Sequence, residues 1–284
     1  MTAPSSSAQH SSEANLLPLI VEPEQLFEHL DQPELLIIDV PVNADSYAEG
    51  HVPGAIFLDF RHLMRGAGPV PSDVPEVETL SRLFSALGLT RDTHVVAYDD
   101  EGGGWAARLL WTLELMGHTR YSYLNGGIHA WRGASLPEST EPSAPTPSEY
   151  HAEILNPQVR ITCDEIKERL NDPQFAVWDA RSSAEYSGQM GNNKHLGHIP
   201  GAVNMDWLDA MDRQRDLRIR DYAELITELE AMGLTPEMEI ATHCQSHHRS
   251  SFTWLVGKAL GFNMRGYAGS WGEWGNRDDT PIET

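Results

Sequence analysis

Two patterns alternate along this chain. Runs that are apolar at nearly every position, such as Leu35-Leu36-Ile37-Ile38 and Val95-Val96-Ala97, are followed by longer stretches with apolar residues every three or four positions. The first kind marks a strand buried on both faces, the second an amphipathic helix. In the first half this predicts helices over 23–30, 77–87 and 105–116, and strands over 35–40, 94–98 and 121–124. The order returns in the second half, with helices over 164–170, 222–232 and 250–260 and strands over 175–180, 239–243 and 264–267. Such alternation implies an α/β fold: two tandem units, each a mainly parallel sheet with helices on both faces.

The recurrence extends to single residues. Leu30-Asp31-Gln32-Pro33 and the strand ending at Asp39 match Leu170-Asn171-Asp172-Pro173 and the strand ending at Asp179, at an offset of 140. Gly50-His51-Val52-Pro53-Gly54-Ala55 matches Gly197-His198-Ile199-Pro200-Gly201-Ala202 at an offset of 147, so the second copy carries seven extra residues, expected within 188–196. Counting 17 back from Gly117 gives Asp100, and 17 back from Gly261 gives Cys244. The duplication therefore keeps its scaffold but carries a thiol in one copy only. This organisation predicts a flexible tail over 1–16, a non-catalytic copy over 17–135, a Pro/Ser-rich linker over 136–150 and a catalytic copy over 151–284.

Composition narrows the function. A chain of 284 residues can bury two cores of ordinary size. Its net charge of −22 argues against nucleic acid and anionic membrane surfaces as partners, while a few converging arginines would still admit a small anion. Cys163 and Cys244 are the two cysteines, too few for a disulfide framework, which fits a reducing compartment. The first residues lack the basic and apolar regions of a secretory signal, and no apolar run reaches the length of a membrane helix. A cytoplasmic monomer is the expectation, with no cofactor and no metal.

The candidate chemistry lies in His243-Cys244-Gln245-Ser246-His247-His248-Arg249-Ser250, between a strand end and a helix start. Unpaired N–H groups and the positive end of the helix dipole favour a thiolate there. Arg249, and His247 or His248 if protonated, would add positive charge, although imidazoles are mostly neutral at pH 7. A loop curled around Cys244 would also form an anion nest. Other readings are an inert buried thiol, a metal site using His243, Cys244, His247 and His248, and a cysteine phosphatase or arsenate reductase. The metal site would require the loop to reverse on itself and lacks a second ligand cluster. A phosphatase needs five residues between cysteine and arginine, whereas Cys244 and Arg249 are separated by four. Thr162-Cys163-Asp164-Glu165 reads as a capping box, which gives Cys163 a structural place at a helix start.

The duplication and the six-residue loop stand beside Trp178-Asp179-Ala180-Arg181 with Glu185-Tyr186, the Gly197–Ala202 motif, and Gly266-Tyr267-Ala268-Gly269-Ser270-Trp271-Gly272-Glu273-Trp274. From about residue 17 onward the chain resembles the rhodanese family, and within it the two-domain bacterial thiosulfate sulfurtransferases. The resemblance implies an active site between the two units, with the second catalytic. Cys244 would take sulfane sulfur from a small anionic donor such as thiosulfate and pass it, as a persulfide, to cyanide or a thiol. Arg181 would contact the donor, the alternative being a salt bridge to Asp179 or Glu185; its counterpart in the first copy is Pro41. Arg249 would contact the donor or steady the persulfide, and Gln245, Ser246, His247, His248 and Ser250 would form the active loop. Asp100 would face the cleft with no nucleophilic role. The loop matches neither the usual thiosulfate pattern nor the Gly-Ser-Gly-Val-Thr run of mercaptopyruvate enzymes, but resembles a variant of some bacterial two-domain rhodaneses. A persulfide carrier serving a protein partner and a 3-mercaptopyruvate sulfurtransferase are the alternatives.

Overall fold

The structure, a computed structural model, describes residues 15–68 and 70–284. Most of the tail expected over 1–16 therefore lies outside the described residues. In the first repeat, β1 (Ile20–Val21) leads into α1 (Pro23–Phe27), β2 (Leu35–Asp39), α2 (Ala44–Glu49) and β3 (Ile56–Phe57). Then follow α3 (Val77–Ala86), β4 (His94–Tyr98), α4 (Gly104–Leu115), β5 (Tyr121–Leu124) and α5 (Gly127–Gly133). The second repeat begins with α6 (Cys163–Arg169), β6 (Phe175–Asp179), α7 (Ser183–Tyr186) and β7 (Val203–Asn204). A hairpin of β8 (Met211–Asp212) and β9 (Arg218–Ile219) precedes α8 (Tyr222–Ala231), β10 (Glu239–His243), α9 (Arg249–Ala259), β11 (Asn263–Gly266) and α10 (Ser270–Trp274).

All twelve elements expected from the apolar pattern are present, with ends that differ by up to three residues. The added elements are short. β1, β3, β7, β8 and β9 have two residues each, too few to show a period.

Both main sheets are parallel. Their orders, β1-β5-β4-β2-β3 and β11-β10-β6-β7, correspond strand for strand. The counterpart of β1 in the second sheet is reduced to a single parallel bridge between Arg160 and Gly266. The register of β10 on β6 sets His243 opposite Asp179, which brings the end of the Asp179 strand beside the Cys244 loop.

Each sheet has an outer face with its own apolar cluster, one around Val21, Leu26 and Trp131, the other around Ile166, Tyr267 and Trp274. The inner faces share one core. It runs from Leu109, Trp111 and Leu113 of α4 to Phe252, Trp254 and Leu255 of α9, and it includes Cys244. Every residue of α4 except Glu114 is buried, so this helix is an interior element between the two sheets. Ion pairs cross the same boundary, between Glu114 and Lys258 (2.6 Å), Asp73 and Arg160 (3.1 Å), and Glu22 and Arg218 (3.0 Å). Partly exposed pairs contribute up to about 1 kcal/mol each, so apolar burial is the larger force holding the repeats together.

The repeats treat one buried carboxyl differently. Asp179 is fully buried and bonded through both oxygens to Arg181. Its counterpart Asp39 has Pro41 at the arginine position, and its Oδ1 is buried without a partner among the described residues. Burial pushes the Asp39 carboxyl up to about 8; the Tyr98 hydroxyl opposes this and the charges of Asp99 and Asp100 add to it. A carboxyl raised in the fold gives stability that is complete below its unfolded value and is lost as pH rises through the folded one. Asp39→Asn should therefore gain thermal stability over the wild type as pH rises from about 4 to about 8, with the advantage level above that. Unfolding temperatures across this range check it, and parallel curves for the two proteins would contradict it.

Candidate active site

The turn after β4 and the turn after β10 solve one local problem in two ways. Each must bond several backbone N–H groups at the start of a buried helix. In the first repeat the Asp99 carboxylate does so. Its Oδ1 accepts from the N–H groups of Glu101, Gly102 and Gly103, and its Oδ2 from Trp105 and Ala106, at 2.7–3.1 Å. Gly102 and Gly103 turn their N–H groups inward with φ of +107° and +100°, where a side chain would be strained. Asp100, expected to face the cleft, is half-buried and accepts instead from the Val42 N–H at 2.9 Å. The anion inside this turn belongs to the preceding residue.

In the second repeat the group inside the turn is the Cys244 thiol. Burial raises its pKa, but the Arg249 charge, the Ser250 hydroxyl and the N–H groups of Ser250 and Ser246 outweigh burial and bring it down to about 7. The thiol is therefore substantially ionised at neutral pH. Cys163 is the opposite case. It is the first residue of α6 behind the expected Thr162–Glu165 capping box, and burial raises its thiol to about 11.

The loop holds its shape through specific contacts. Ser270 Oγ accepts from the Cys244 N–H at 3.3 Å, and the carbonyls of Cys244 and Gln245 accept from Trp271 and Gly272, each at 2.9 Å. His247 turns the loop at φ +55°, an unusual conformation for a residue with a side chain. Its ring is buried against the edge of Trp111 at 4.6 Å, with Nδ1 2.7 Å from Ser250 Oγ. Burial, helped by Arg108, His243 and His248, holds His247 well below the usual imidazole range, so it adds no charge to the thiol. His248 points into the other repeat. It stacks on Trp105 at 4.0 Å and pairs with Glu101, where Gly104 leaves no room for a Cβ beneath the ring. This loop histidine docks the repeats.

Arg249 begins α9 and binds Glu185 through two parallel hydrogen bonds of 2.7 and 2.9 Å. The pair holds Glu185 down at about 2 despite its burial and keeps the guanidinium near the thiol. Arg181, expected to contact an anionic donor or to pair with Asp179 or Glu185, is bonded to Asp179. It is 1% exposed, its Nε and Nη2 bond Asp179, Nη2 also reaches the Gly197 carbonyl at 2.8 Å, and its plane lies 4.4 Å over Trp271. Asp179 is a buried carboxylate two residues away that requires a counter-charge, and it turns the arginine inward.

A cavity of about 430 Å³ opens between the repeats beside the loop, lined by Met64, Pro71, Ser72, Asn193, Gln245 and Ser246 among others. Asn193 comes from the seven-residue insertion and reaches the Trp271 carbonyl at 3.2 Å. Neither Asn193 nor Asp99 stood out in the sequence, although the glycine run 102–104 beside Asp99 was a signal of a tight anion-binding turn. A larger cavity of about 640 Å³, lined by Met205, Leu208, Met211, Arg220 and Met232, contains no residue of the Cys244 loop. Among the described residues no cluster of three or more His, Cys, Asp or Glu side chains could hold a metal ion, and no helix is long and apolar enough to cross a membrane.

Fold and loop together define a tandem α/β protein with one ionisable thiol in an anion-binding turn. Both halves match the Rhodanese-like domain family, over residues 22–134 and 162–277. Over 268 residues the chain is 47% identical to a thiosulfate sulfurtransferase of Azotobacter vinelandii, covering 94% of this chain and 97% of the relative. A thiosulfate sulfurtransferase of Pseudomonas aeruginosa is 45% identical over the same shares. The fold also superposes, with a TM-score of 0.84 at 24% identity, on an anaerobic ergothioneine biosynthesis enzyme from Chlorobium limicola, covering 94% of this chain and 70% of that one. The chain belongs to the rhodanese family and is an enzyme of sulfur transfer.

Two outcomes are expected. Alkylation of Cys244 by iodoacetamide should be half-maximal near pH 7, with Cys163 unlabelled; in Arg249→Met the midpoint should move up, read by mass spectrometry of the labelled peptide. Arg181→Met leaves Asp179 buried without its counter-charge and should cost about 3–5 kcal/mol of unfolding free energy, part of it recovered when Asp179→Asn is added.

Proposed function

We propose that this protein is a thiosulfate sulfurtransferase that carries sulfur on Cys244. The thiolate attacks the outer sulfur of thiosulfate. The donor S–S bond breaks, sulfite leaves with the bonding pair, and one sulfur remains on the enzyme as a persulfide anion. Cyanide or a thiolate then attacks that terminal sulfur, departs as thiocyanate or a new persulfide, and returns Cys244 as thiolate.

The observation that carries this reading is a fully buried thiol placed among the N–H groups of Ser246 and Ser250, the Ser250 hydroxyl and the Arg249 guanidinium. A site of this kind stabilises a sulfur anion before and after the transfer. The relatives at 45–47% identity that bear this activity support it. Arg249 holds the anionic sulfur, Gln245 and Ser246 border the cavity by which donor and acceptor arrive, and Ser250 and His247 keep the loop in shape. Arg181 acts as the partner of Asp179 and positions the strand end. Domain limits of 17–135 and 151–284 about a 136–150 linker belong to the same reading, supported by the two separate sheets. So does a monomer, since one chain holds both walls of the cavity. Two free thiols support a reducing compartment, the cytoplasm. The carrier alternative draws on the same burial of Cys244, which protects a persulfide from solvent.

Incubation with thiosulfate followed by removal of excess should add about 32 Da to the wild type and nothing to Cys244→Ser. Cyanide should discharge the addition. No mass gain on a reduced Cys244 would remove thiosulfate as the donor. A gain that resists cyanide and leaves only on a protein thiol would favour the carrier.

A further inference from the structure

The first repeat meets the Cys244 loop through α4. Gly104 and Trp105 receive His248, and Trp111 receives His247. Arg108 follows Gly104 by four residues and precedes Trp111 by three, so it shares their face of the helix. Its side chain is completely buried. Nη2 donates to the carbonyls of Leu63 (3.2 Å) and Ser72 (2.7 Å), and the guanidinium lies 4.7 Å over the Trp111 ring. Among the described residues, Nε and Nη1 are buried with no partner. Ser72, whose carbonyl it holds, lines the cavity that Gln245 and Ser246 also border. The reactions of the site described so far do not use this residue.

An unpaired cation in a protein interior costs several kcal/mol and is retained only where an anion offsets it. Asp73 and the ionised Cys244 are the two groups whose charge favours the charged form of Arg108. Asp73 is engaged by Arg160 and Arg65 instead. Burial draws Arg108 down to about 10, which leaves it protonated at neutral pH. The sulfur of Cys244 is then the anion without another dedicated partner from the first repeat.

We propose that Arg108 is the second cation of the active site, contributed by the repeat that has no thiol, and that its free Nε–H and Nη1–H provide the counter-charge for Cys244 as thiolate and as persulfide. Arg249 acts from the second repeat and Arg108 from the first, so the anionic sulfur lies between charges on both sides of the boundary. The persulfide part rests on the sulfur-transfer reading above; the thiolate part does not.

The test compares full-length wild type, Arg108→Gln, which loses the charge but keeps a donor for the Ser72 carbonyl, and Arg108→Lys, which keeps the charge. The readout is the pH of half-maximal Cys244 alkylation, with thermal unfolding as the fold control. Arg108→Gln should move the midpoint up by about one unit, a tenfold lower rate at pH 7, while Arg108→Lys stays close to the wild type. In the wild type the Arg108 15Nε signal should also shift with the thiol's own midpoint and remain fixed in Cys244→Ser, a measurement that holds if the glutamine variant does not fold. A folded Arg108→Gln with an unmoved midpoint, or an Arg108 signal that ignores the thiol, would overturn the proposal. A moved midpoint without sulfur uptake from thiosulfate would instead count against thiosulfate as donor and leave the counter-charge standing.

Discussion

A strand that ends and a helix that begins within a few residues create a ring of N–H groups that the backbone itself cannot satisfy. Both halves of this chain contain such N–H groups, and each turns them onto an ionisable side chain. Asp99 fills the first through five hydrogen bonds, which oppose the upward push of burial and of the Glu101 charge on its carboxyl. Cys244 fills the second with a charge that depends on pH and on the atom bonded to sulfur. The scaffold is the same, and the exchange of a hydrogen-bonded carboxyl for a thiol whose sulfur can be modified separates the two repeats. Burial alone would have made the thiol inert, as it does for Cys163; the ring and the nearby guanidinium reverse the direction.

Much of the fold was legible because parallel strands buried on both faces are apolar throughout, and both copies showed this. The segment 94–98 is buried at every position and is a strand from end to end. Two-residue strands were not legible, since pairing partners define them and no local period does. The loop was legible as a site because its twin carried no thiol. The roles of its neighbours were less so. Arg181 could turn toward an incoming anion or toward Asp179, and sequence separation does not distinguish these; complete burial of the aspartate does. His248 lies within the active loop, yet its partners are Glu101 and Trp105, more than a hundred residues away in the other repeat.

Charge placement explains how a chain with a net charge of −22 accommodates an anionic centre. The acidic groups near the loop are paired or hydrogen-bonded: Glu185 by Arg249, Asp179 by Arg181, Asp206 as the cap of the short helix at Trp207–Ala210. Local guanidinium groups, and not the overall charge, set the potential at the sulfur.

The shared inner core has a consequence for biosynthesis. Helix α4 is buried on all sides except at Glu114, and its cover is α9, which ends 144 residues later in the chain. At roughly 5–20 residues per second the ribosome takes about 7–30 s to cover that distance. For this interval the nascent first half carries an apolar surface meant for a partner not yet made. Chaperone capture of the emerging chain, and aggregation of any truncated product that stops within the linker, follow from the same packing that encloses the thiol.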